Sequence, residues 1–406
     1  MVRRSVLVMF AVVVIVLGGV VVSTPAGAVV DSATIVPSPN AGTSADTLSS
    51  VSCVSVSECV AVGLTWNGSG FETLVMVWDG TDWSIVSSPN AGTRYDRLLS
   101  VSCVSVAECV AVGYTNTGSA TETLVMMWDG TDWSIVASPN AGTSDDTLNS
   151  VSCLSVAECV AVGSTDTGSA LETLVMMWDG TDWSIVSSPN AGSEDSLSSV
   201  SCLSVSECVA VGSTDTGSGS ESLVMVWDGT AWSIVSSPNA ASDDRLFSVS
   251  CLSASDCVAV GSTNTGPAYE TLVIVWDGSV WSIVSSPNAG TSIDRLYSVS
   301  CVSASQCVAV GSTFTGSAYE TLVMVWNGTL WSIVSSPNAG VSSPNAGSND
   351  SLSSVSCVSV SDCVAVGYTR TGSVYQTLVL SLTGPVPPST STTSPSPDQV
   401  VPAFTG

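Results

Sequence analysis

The chain has 406 residues with 34 acidic and seven basic side chains, no histidine and a formal net charge of −27. This charge excludes the cationic surface that binding to nucleic acid or to anionic membranes requires. Every basic side chain is an arginine, so carboxylates are the only side chains suited to general acid–base catalysis, and no catalytic residues are predicted.

The N-terminal segment has the pattern of a secretory signal peptide. Arg3 and Arg4 precede an apolar run from Val6 to Val22, and the small residues Ala26-Gly27-Ala28 follow. We predict a signal peptide over residues 1–28, with a retained membrane anchor as the alternative. Its removal leaves five arginines against 34 acids, a net charge of −29. We therefore expect a secreted or cell-surface protein that makes no membrane contact after cleavage.

The cysteines are arranged in pairs with five residues between partners. Disulfides are predicted, because exported chains enter an oxidising compartment and because zinc sites use closer spacing and often histidine. The predicted disulfides are Cys53–Cys59, Cys103–Cys109, Cys153–Cys159, Cys202–Cys208, Cys251–Cys257, Cys301–Cys307 and Cys357–Cys363.

The cysteine pairs mark a long tandem repeat. Their first members lie 50, 50, 49, 49, 50 and 56 residues apart, a period found in propeller blades. The longest interval contains VSSPNAG twice, at 334–340 and 341–347. Each unit predicts four strands. In the second unit these are Leu98–Cys103, Cys109–Gly113, Glu122–Trp128 and Trp133–Val136.

Two further features describe how each unit packs and turns. The third strand is apolar on both faces, which is typical of blades stacked face to face. Asp-Gly, as at Asp129-Gly130, separates the third and fourth strands and favours a type I′ hairpin, whose two central residues need positive φ.

The two ends of the repeat array complement one another. The seventh unit stops after its third strand, Gln376–Leu382, whereas Ala33–Val36 and the following Ser-Pro-Asn match the fourth strand of the other units. We predict an all-β, seven-bladed propeller of four-stranded blades over residues 29–384, with the last blade completed by the N-terminal strand. An open solenoid is the alternative. The Pro/Ser/Thr-rich residues 385–406 are predicted to be a disordered tail.

The repeat reads Ser-Val-Ser-Cys-x5-Cys-Val-Ala-Val-Gly and then Thr-Leu-Val-x-x-Trp-Asp-Gly-x-x-Trp-Ser. Over nearly all of residues 32–384 it resembles the repeats of secreted actinobacterial β-propeller proteins, a largely uncharacterised group. The resemblance implies export and a propeller, and it implies no activity. Asp-Thr-Gly-Ser at 166–169 and 215–218 matches the aspartic-protease signature, but Asn116 or Phe314 begins the same slot elsewhere. We interpret the slot as a turn.

Function is expected where the repeat is broken. The varying aromatic residues and arginines fall in the second-to-third-strand loop and around the fourth-to-first-strand connection. In an up-and-down blade both emerge on one face of the disc, which we call the variable face. The cysteine hairpins and Asp-Gly turns emerge on the other, which we call the disulfide face. The predicted ligand-binding residues are Trp66, Phe71, Tyr95, Arg97, Tyr114, Arg245, Tyr269, Arg295, Tyr297, Phe314, Tyr319 and Arg370.

One aspartate recurs two residues before the leucine that opens each first strand. These residues are Asp46, Asp96, Asp146, Asp195, Asp244, Asp294 and Asp350. Seven carboxylates around a channel mouth would suit a hard cation, so they are a candidate calcium site. The alternative is seven turns in which aspartate bonds its own backbone. No other cofactor is expected.

These features predict a monomeric, non-catalytic extracellular recognition or adhesion module that binds glycan or protein through the variable face. One alternative is a rigid surface spacer without a specific ligand. The second is a carboxylate-based glycoside hydrolase or lyase.

Overall fold

The computed structural model describes residues 30–92, 94–142, 144–339 and 348–384, with the side chain of residue 348 excepted. The predicted signal peptide and tail, and the second VSSPNAG copy at 341–347, lie outside these residues. Within them, no helix has the length and apolar character needed to cross a membrane. The described chain is all β-structure, with 28 strands in seven blades of four.

Each blade runs from an innermost to an outermost strand. The innermost strands are β2 (Asp46–Ser55), β6 (Tyr95–Ser105), β10 (Asp146–Ser155), β14 (Ser196–Ser204), β18 (Asp244–Ser253), β22 (Ile293–Ser303) and β26 (Ser348–Ser359). The second strands are β3 (Glu58–Trp66), β7 (Glu108–Asn116), β11 (Glu158–Asp166), β15 (Glu207–Asp215), β19 (Asp256–Asn264), β23 (Gln306–Phe314) and β27 (Asp362–Thr371). The third are β4 (Phe71–Trp78), β8 (Thr121–Trp128), β12 (Leu171–Trp178), β16 (Ser220–Trp227), β20 (Tyr269–Trp276), β24 (Tyr319–Trp326) and β28 (Val374–Thr383). The outermost are β5 (Trp83–Val86), β9 (Trp133–Val136), β13 (Trp183–Val186), β17 (Trp232–Val235), β21 (Trp281–Ile283), β25 (Trp331–Val334) and β1 (Ser32–Ile35).

The predicted ring closure is confirmed. Strand β1 pairs antiparallel with β28, opposing Ser32 to Thr383, so the seventh blade takes its outermost strand from the N-terminal segment. The Ser-Pro-Asn segment that follows β1 also binds to β28, because the Asn40 side-chain oxygen accepts a hydrogen bond from the Thr377 N–H at 2.9 Å. Every other blade makes this bond within its own unit.

The hydrophobic core lies between neighbouring blades. Third-strand side chains are buried on both faces, as predicted: Leu74, Val75 and Met76 are at most 1% exposed. One cluster packs Met76 of the first blade against Val366 and Val379 of the seventh. The ring is therefore closed by apolar contact as well as by strand pairing.

The Ser-Val-Ser-Cys motif connects the innermost strands around the channel. Val101 N–H donates to the Ser50 hydroxyl at 3.2 Å, and Cys103 N–H donates to the Ser52 hydroxyl at 3.1 Å. Equivalent bonds join each successive pair of blades and end with two from the first blade to the seventh. The N–H groups at the edge of each innermost strand thus find hydrogen-bond acceptors in the serine hydroxyls of the neighbouring blade.

The disulfide at each inner hairpin is confirmed. All seven predicted pairs are bonded, and Cys53 lies directly opposite Cys59 in the β2–β3 register. Seven disulfides indicate an oxidising compartment. Close packing also explains the glycine that ends Cys-Val-Ala-Val-Gly. A Cβ on Gly212 would lie 1.9 Å from the Ser196 carbonyl oxygen, where the innermost strand bulges.

The Asp-Gly turn has a different geometry from the predicted type I′ turn, so that prediction was wrong. Strand register pairs Trp78 with Trp83 and leaves a four-residue loop. Gly80 has a φ of 92°, but in the described chain no residue other than glycine has positive φ. Instead, the Asp79 carboxylate accepts the Thr81 N–H and hydroxyl at 2.8 and 2.6 Å, and the turn is held by a side chain.

Candidate ligand-binding face

The contacts confirm that the two kinds of loop lie on opposite faces. On the variable face, Phe71 N–H donates to the Arg94 carbonyl at 3.1 Å, which joins a second-to-third-strand loop to the next fourth-to-first-strand connection. On the disulfide face, Trp78 Nε1 donates to the Val56 carbonyl at 3.2 Å, which joins the end of the third strand to the cysteine hairpin. The repeat-breaking residues are therefore gathered on one surface.

Blades 1 and 2 bring four predicted aromatic residues into one row. Trp66 and Phe71 have ring centroids 4.9 Å apart, Phe71 and Tyr95 are 4.8 Å apart, and Tyr95 stacks on Tyr114 at 5.7 Å. Burial raises the pKa of Tyr114, a hydrogen bond with Tyr95 raises it further, and nearby Arg97 opposes the rise. The row therefore ends beside a guanidinium.

Blades 5 to 7 bring together most of the remaining predicted residues. Arg295 lies over the Tyr269 ring at 4.6 Å, and the Phe314 and Tyr319 rings are 5.1 Å apart. Further contacts join Arg370 to Tyr375, Tyr368 to Tyr375, and Phe247 to Tyr297. Arg245 differs from these arginines, because it pairs with Asp243 at 3.4 Å.

Blades 3 and 4 have a different character at the same positions. Where blades 1, 2, 5, 6 and 7 place aromatic residues and arginines, these two blades place Asn149, Leu171 and otherwise small or acidic side chains. The acids on this side are Asp145, Asp166, Glu194 and Asp215. We use the name aromatic arc for these residues of the other five blades: Trp66, Phe71, Tyr95, Arg97, Tyr114, Arg245, Phe247, Tyr269, Arg295, Tyr297, Phe314, Tyr319, Tyr368, Arg370 and Tyr375. The variable face thus has an aromatic, cationic side and an acidic side.

A cavity of about 410 Å³ occupies the channel mouth at the centre of this face. It contacts six of the seven blades, so it lies on the ring axis. Its lining residues are Ser49, Arg97, Leu99, Asn149, Ser198, Tyr297, Ser351, Ser353 and Tyr368. Burial raises the pKa of Tyr368, and the neighbouring Tyr297 and Tyr375 add to the rise. The Tyr368 hydroxyl therefore stays protonated at neutral pH.

Only Arg97 and Tyr297 among the predicted ligand-binding residues line this cavity. Sequence reasoning missed Leu99, Asn149 and Ser198 because they are not unusual as strand residues. The available signal was the position directly after the opening leucine, which is Ser, Leu, Asn, Ser, Phe, Tyr and Ser in successive units. That position varies while the residues on either side of it repeat.

The seven aspartates lie beneath the variable face and are at most 2% exposed. Asp96, for example, accepts the Gly92 N–H at 3.0 and 3.1 Å, which closes its own loop. Across the strand pair lies Thr115, whose hydroxyl is buried without a hydrogen bond, as is its equivalent in every blade. In the described residues, no three His, Cys, Asp or Glu are placed to hold a metal ion. The calcium site stays a prediction.

Comparison with known proteins gave structural likenesses only. No protein-family model matches the chain, and no curated protein matches it. YCF48 from Cyanidioschyzon merolae is 13% identical with a TM-score of 0.49, over 86% of this chain and 98% of that one. A second structure, described as YCF48 bound to D1 peptide, has the same identity and TM-score, over 87% and 95%. Sqt1 from Chaetomium thermophilum is 11% identical with a TM-score of 0.45, over 82% and 86%. These likenesses carry no argument about a ligand.

Proposed function

We propose that this protein is a secreted, non-catalytic recognition module that binds an extracellular glycan or protein through the variable face. The observation that carries the proposal is the aromatic arc around the channel mouth. Aromatic side chains and arginines supply most of the binding energy in many recognition surfaces. The tyrosines, phenylalanines and arginines of the described residues all belong to the loops and strand ends of the face where the repeats differ, whereas the tryptophans of the disulfide face recur in the same turn of blades 1 to 6.

The cavity wall favours binding over hydrolysis. Its lining residues are arginine, tyrosine, leucine, serine and asparagine. A glycoside hydrolase uses two carboxylates on either side of the scissile bond. Within the described lining, no aspartate or glutamate is present to form such a pair. The channel mouth is therefore proposed as a binding site rather than a catalytic one.

A binding experiment with matched variants of the two faces tests the proposal. The chain, expressed with its own N-terminal segment and purified from the medium, is applied to glycan and extracellular-protein arrays. Tyr95→Ala with Tyr319→Ala alters the aromatic arc. Val106→Ser with Val156→Ser alters two valines of the disulfide face that are 52% and 49% exposed.

We expect the variable-face variant to lose binding and the disulfide-face variant to keep it. Thermal unfolding of both variants checks that they remain folded. Loss of binding through the disulfide face would reverse the assignment of faces. A wild-type chain that binds nothing on either array would instead indicate a spacer without a specific ligand.

A further inference from the structure

Arg97 at the channel mouth forms no ion pair with a carboxylate of the described residues, although the chain carries 34 acids. In the described residues, the sole ion pair is that of Arg245 with Asp243. Arg97 lines the cavity, and its Nε is shielded from solvent and makes no hydrogen bond. A guanidinium that lines a cavity and has no carboxylate partner favours the binding of an anion there, because hydrogen bonds between charged groups are among the strongest that proteins make.

The rest of the wall carries groups that bind sugars. Six of the nine lining residues have hydroxyl groups, four serines and two tyrosines, and Asn149 adds an amide. The Asn149 amide already donates to the Leu197 carbonyl at 2.8 Å, so its orientation is fixed. The rings of Tyr297 and Tyr368 offer faces on which the C–H groups of a sugar ring can stack.

We propose that the channel mouth binds an acidic sugar at the end of an extracellular polysaccharide, with the uronic acid carboxylate paired to Arg97. This inference rests on the proposed function and names its ligand class. The planar guanidinium matches a carboxylate in a two-bond arrangement. The cavity volume of about 410 Å³ lies within the range of small-ligand sites.

The same wall disfavours a peptide carboxyl terminus, which would bring the same charged group. Extended peptides commonly bind by pairing their backbone with an open strand edge. Here the inner-edge N–H groups of Val101 and Cys103 already donate to Ser50 and Ser52 of the neighbouring blade. Within the described lining, Leu99 is the single aliphatic side chain, so a peptide side chain would find little apolar surface.

The test compares acidic oligosaccharides with neutral copies of themselves. Oligogalacturonate, oligoglucuronate and oligomannuronate are titrated into the purified chain by calorimetry. Each is paired with the same oligosaccharide after reduction of its carboxylates to primary alcohols, which keeps every ring and removes only the charge. We expect at least one acidic probe to bind and its reduced copy to bind about tenfold more weakly or worse.

Two arginines of one connection give matched variants. Arg97→Gln removes the charge from the cavity, whereas Arg94→Gln makes the same change at an exposed position three residues earlier. We expect about tenfold loss or more for Arg97→Gln and no change for Arg94→Gln. Arg97→Lys should fall between wild type and Arg97→Gln, because lysine keeps the charge without the planar fork. Equal unfolding temperatures confirm that the variants are folded.

Three results would overturn the inference. The first is equal affinity for the acidic and reduced probes, or for wild type and Arg97→Gln; array binding through the variable face would still support the proposed function. The second is a peptide with a free carboxyl terminus binding through Arg97 while no uronate binds. The third is a complete lack of binding by the acidic probes. A ligand that depends on the disulfide face would overturn the proposed function instead.

Discussion

The two faces of the disc are built by the same seven repeats, yet only one of them varies. On the disulfide face of blades 1 to 5 each turn is fixed internally, by a cystine, by the tryptophan bond to the hairpin carbonyl and by an aspartate that bonds its own turn, and in blade 6 Asn327 replaces the aspartate. On the variable face the loops are fastened at their bases, by the asparagine of Ser-Pro-Asn and by the buried aspartate. Residues between these fastenings are not needed for the turn and are free to differ.

Removing the strand that closes the ring should produce the largest effect on both faces. Deletion of Ala33–Val36 removes three of the four residues of β1 and shortens the segment that brings Asn40 to Thr377, so the edge of β28 is exposed. We expect the unfolding temperature measured by calorimetry to fall by at least about 10 °C, with aggregation above it. Deletion of residues 385–406 is the control and should have little effect. Equal losses from the two deletions would contradict the role of closure.

Breaking one disulfide should disturb the fold less and leave recognition intact. Cys202→Ala with Cys208→Ala removes one cystine from the disulfide face. Loop entropy predicts a loss of about 2 kcal/mol, or a few degrees in unfolding temperature. The control Val205→Ala changes an exposed residue of the same hairpin, 60% accessible, and should cost little. A large loss of ligand binding in the double variant would show that the two faces are not independent.

The repeat period, the turn residues and the unmatched ends predicted the blades and their closure from the sequence. The strands extend further toward the variable face than the sequence pattern predicts. The sequence predicts Leu98–Cys103, whereas β6 spans Tyr95–Ser105. The extra residues at this end, from Tyr95 to Arg97, pair with β7 in the same blade, and Tyr95 also pairs with Phe71 of the preceding blade. Such pairing depends on neighbours that a single unit does not contain.

The candidate site was predictable in part for a related reason. Aromatic residues and arginines that interrupt a repeat are conspicuous, and the row from Trp66 to Tyr114 follows directly from them. The cavity wall is made mainly of serines and one asparagine. Side chains of this kind are ordinary in a strand, and only closure of the ring brings six blades together around them. Their role is set by tertiary structure.

The Asp-Gly turns give a pH test of how the disulfide face is fixed. The Thr81 hydroxyl, with backbone N–H groups, lowers the pKa of Asp79 from 3.8 to about 2. The pKa of Asp129 is lowered to about 2, chiefly by the hydrogen bond from the Asp132 N–H, and the pKa of Asp179 is also lowered to about 2. Because these pKa values lie below the unfolded value, the ionised turns stabilise the fold above about pH 4. That contribution is lost as the pH falls from about 4 to about 2.

Blade 6 supplies the natural control for this test. Asn327 occupies the aspartate position, and its side-chain oxygen accepts the Thr329 hydroxyl and N–H at 2.7 and 3.0 Å. The triple variant Asp79→Asn, Asp129→Asn and Asp179→Asn should therefore keep the turns. Between pH 4 and pH 2, the urea concentration at its unfolding midpoint should decrease less than that of the wild type. Asn327→Asp should steepen that decline. An unchanged pH profile in both variants would show that the turn carboxylates do not contribute to acid stability.

The smallest expected change in stability concerns the buried aspartates under the variable face. The test asks whether these aspartates bind a calcium ion or only hydrogen-bond to the backbone of their own loops. Each of Asp96, Asp195 and Asp294 directs its carboxylate to N–H groups of its own loop. We expect calcium to leave the unfolding temperature where sodium chloride of the same ionic strength places it. Asparagine at the three positions keeps an acceptor oxygen for the loop, so that variant should fold with a modest loss of stability.

A calcium site would give the opposite result. An ion that binds only the folded chain adds about 2.7 kcal/mol to the free energy of unfolding at 100 times its Kd. The triple asparagine variant would lose that gain, since an amide oxygen lacks the charge that calcium favours. The hydroxyl of Thr115 gives a second way to distinguish a calcium site from a turn, because it is buried beside Asp96 without a hydrogen bond. Thr115→Val should be nearly neutral if the loop is a simple turn, and it should weaken a calcium response if the hydroxyl is a ligand.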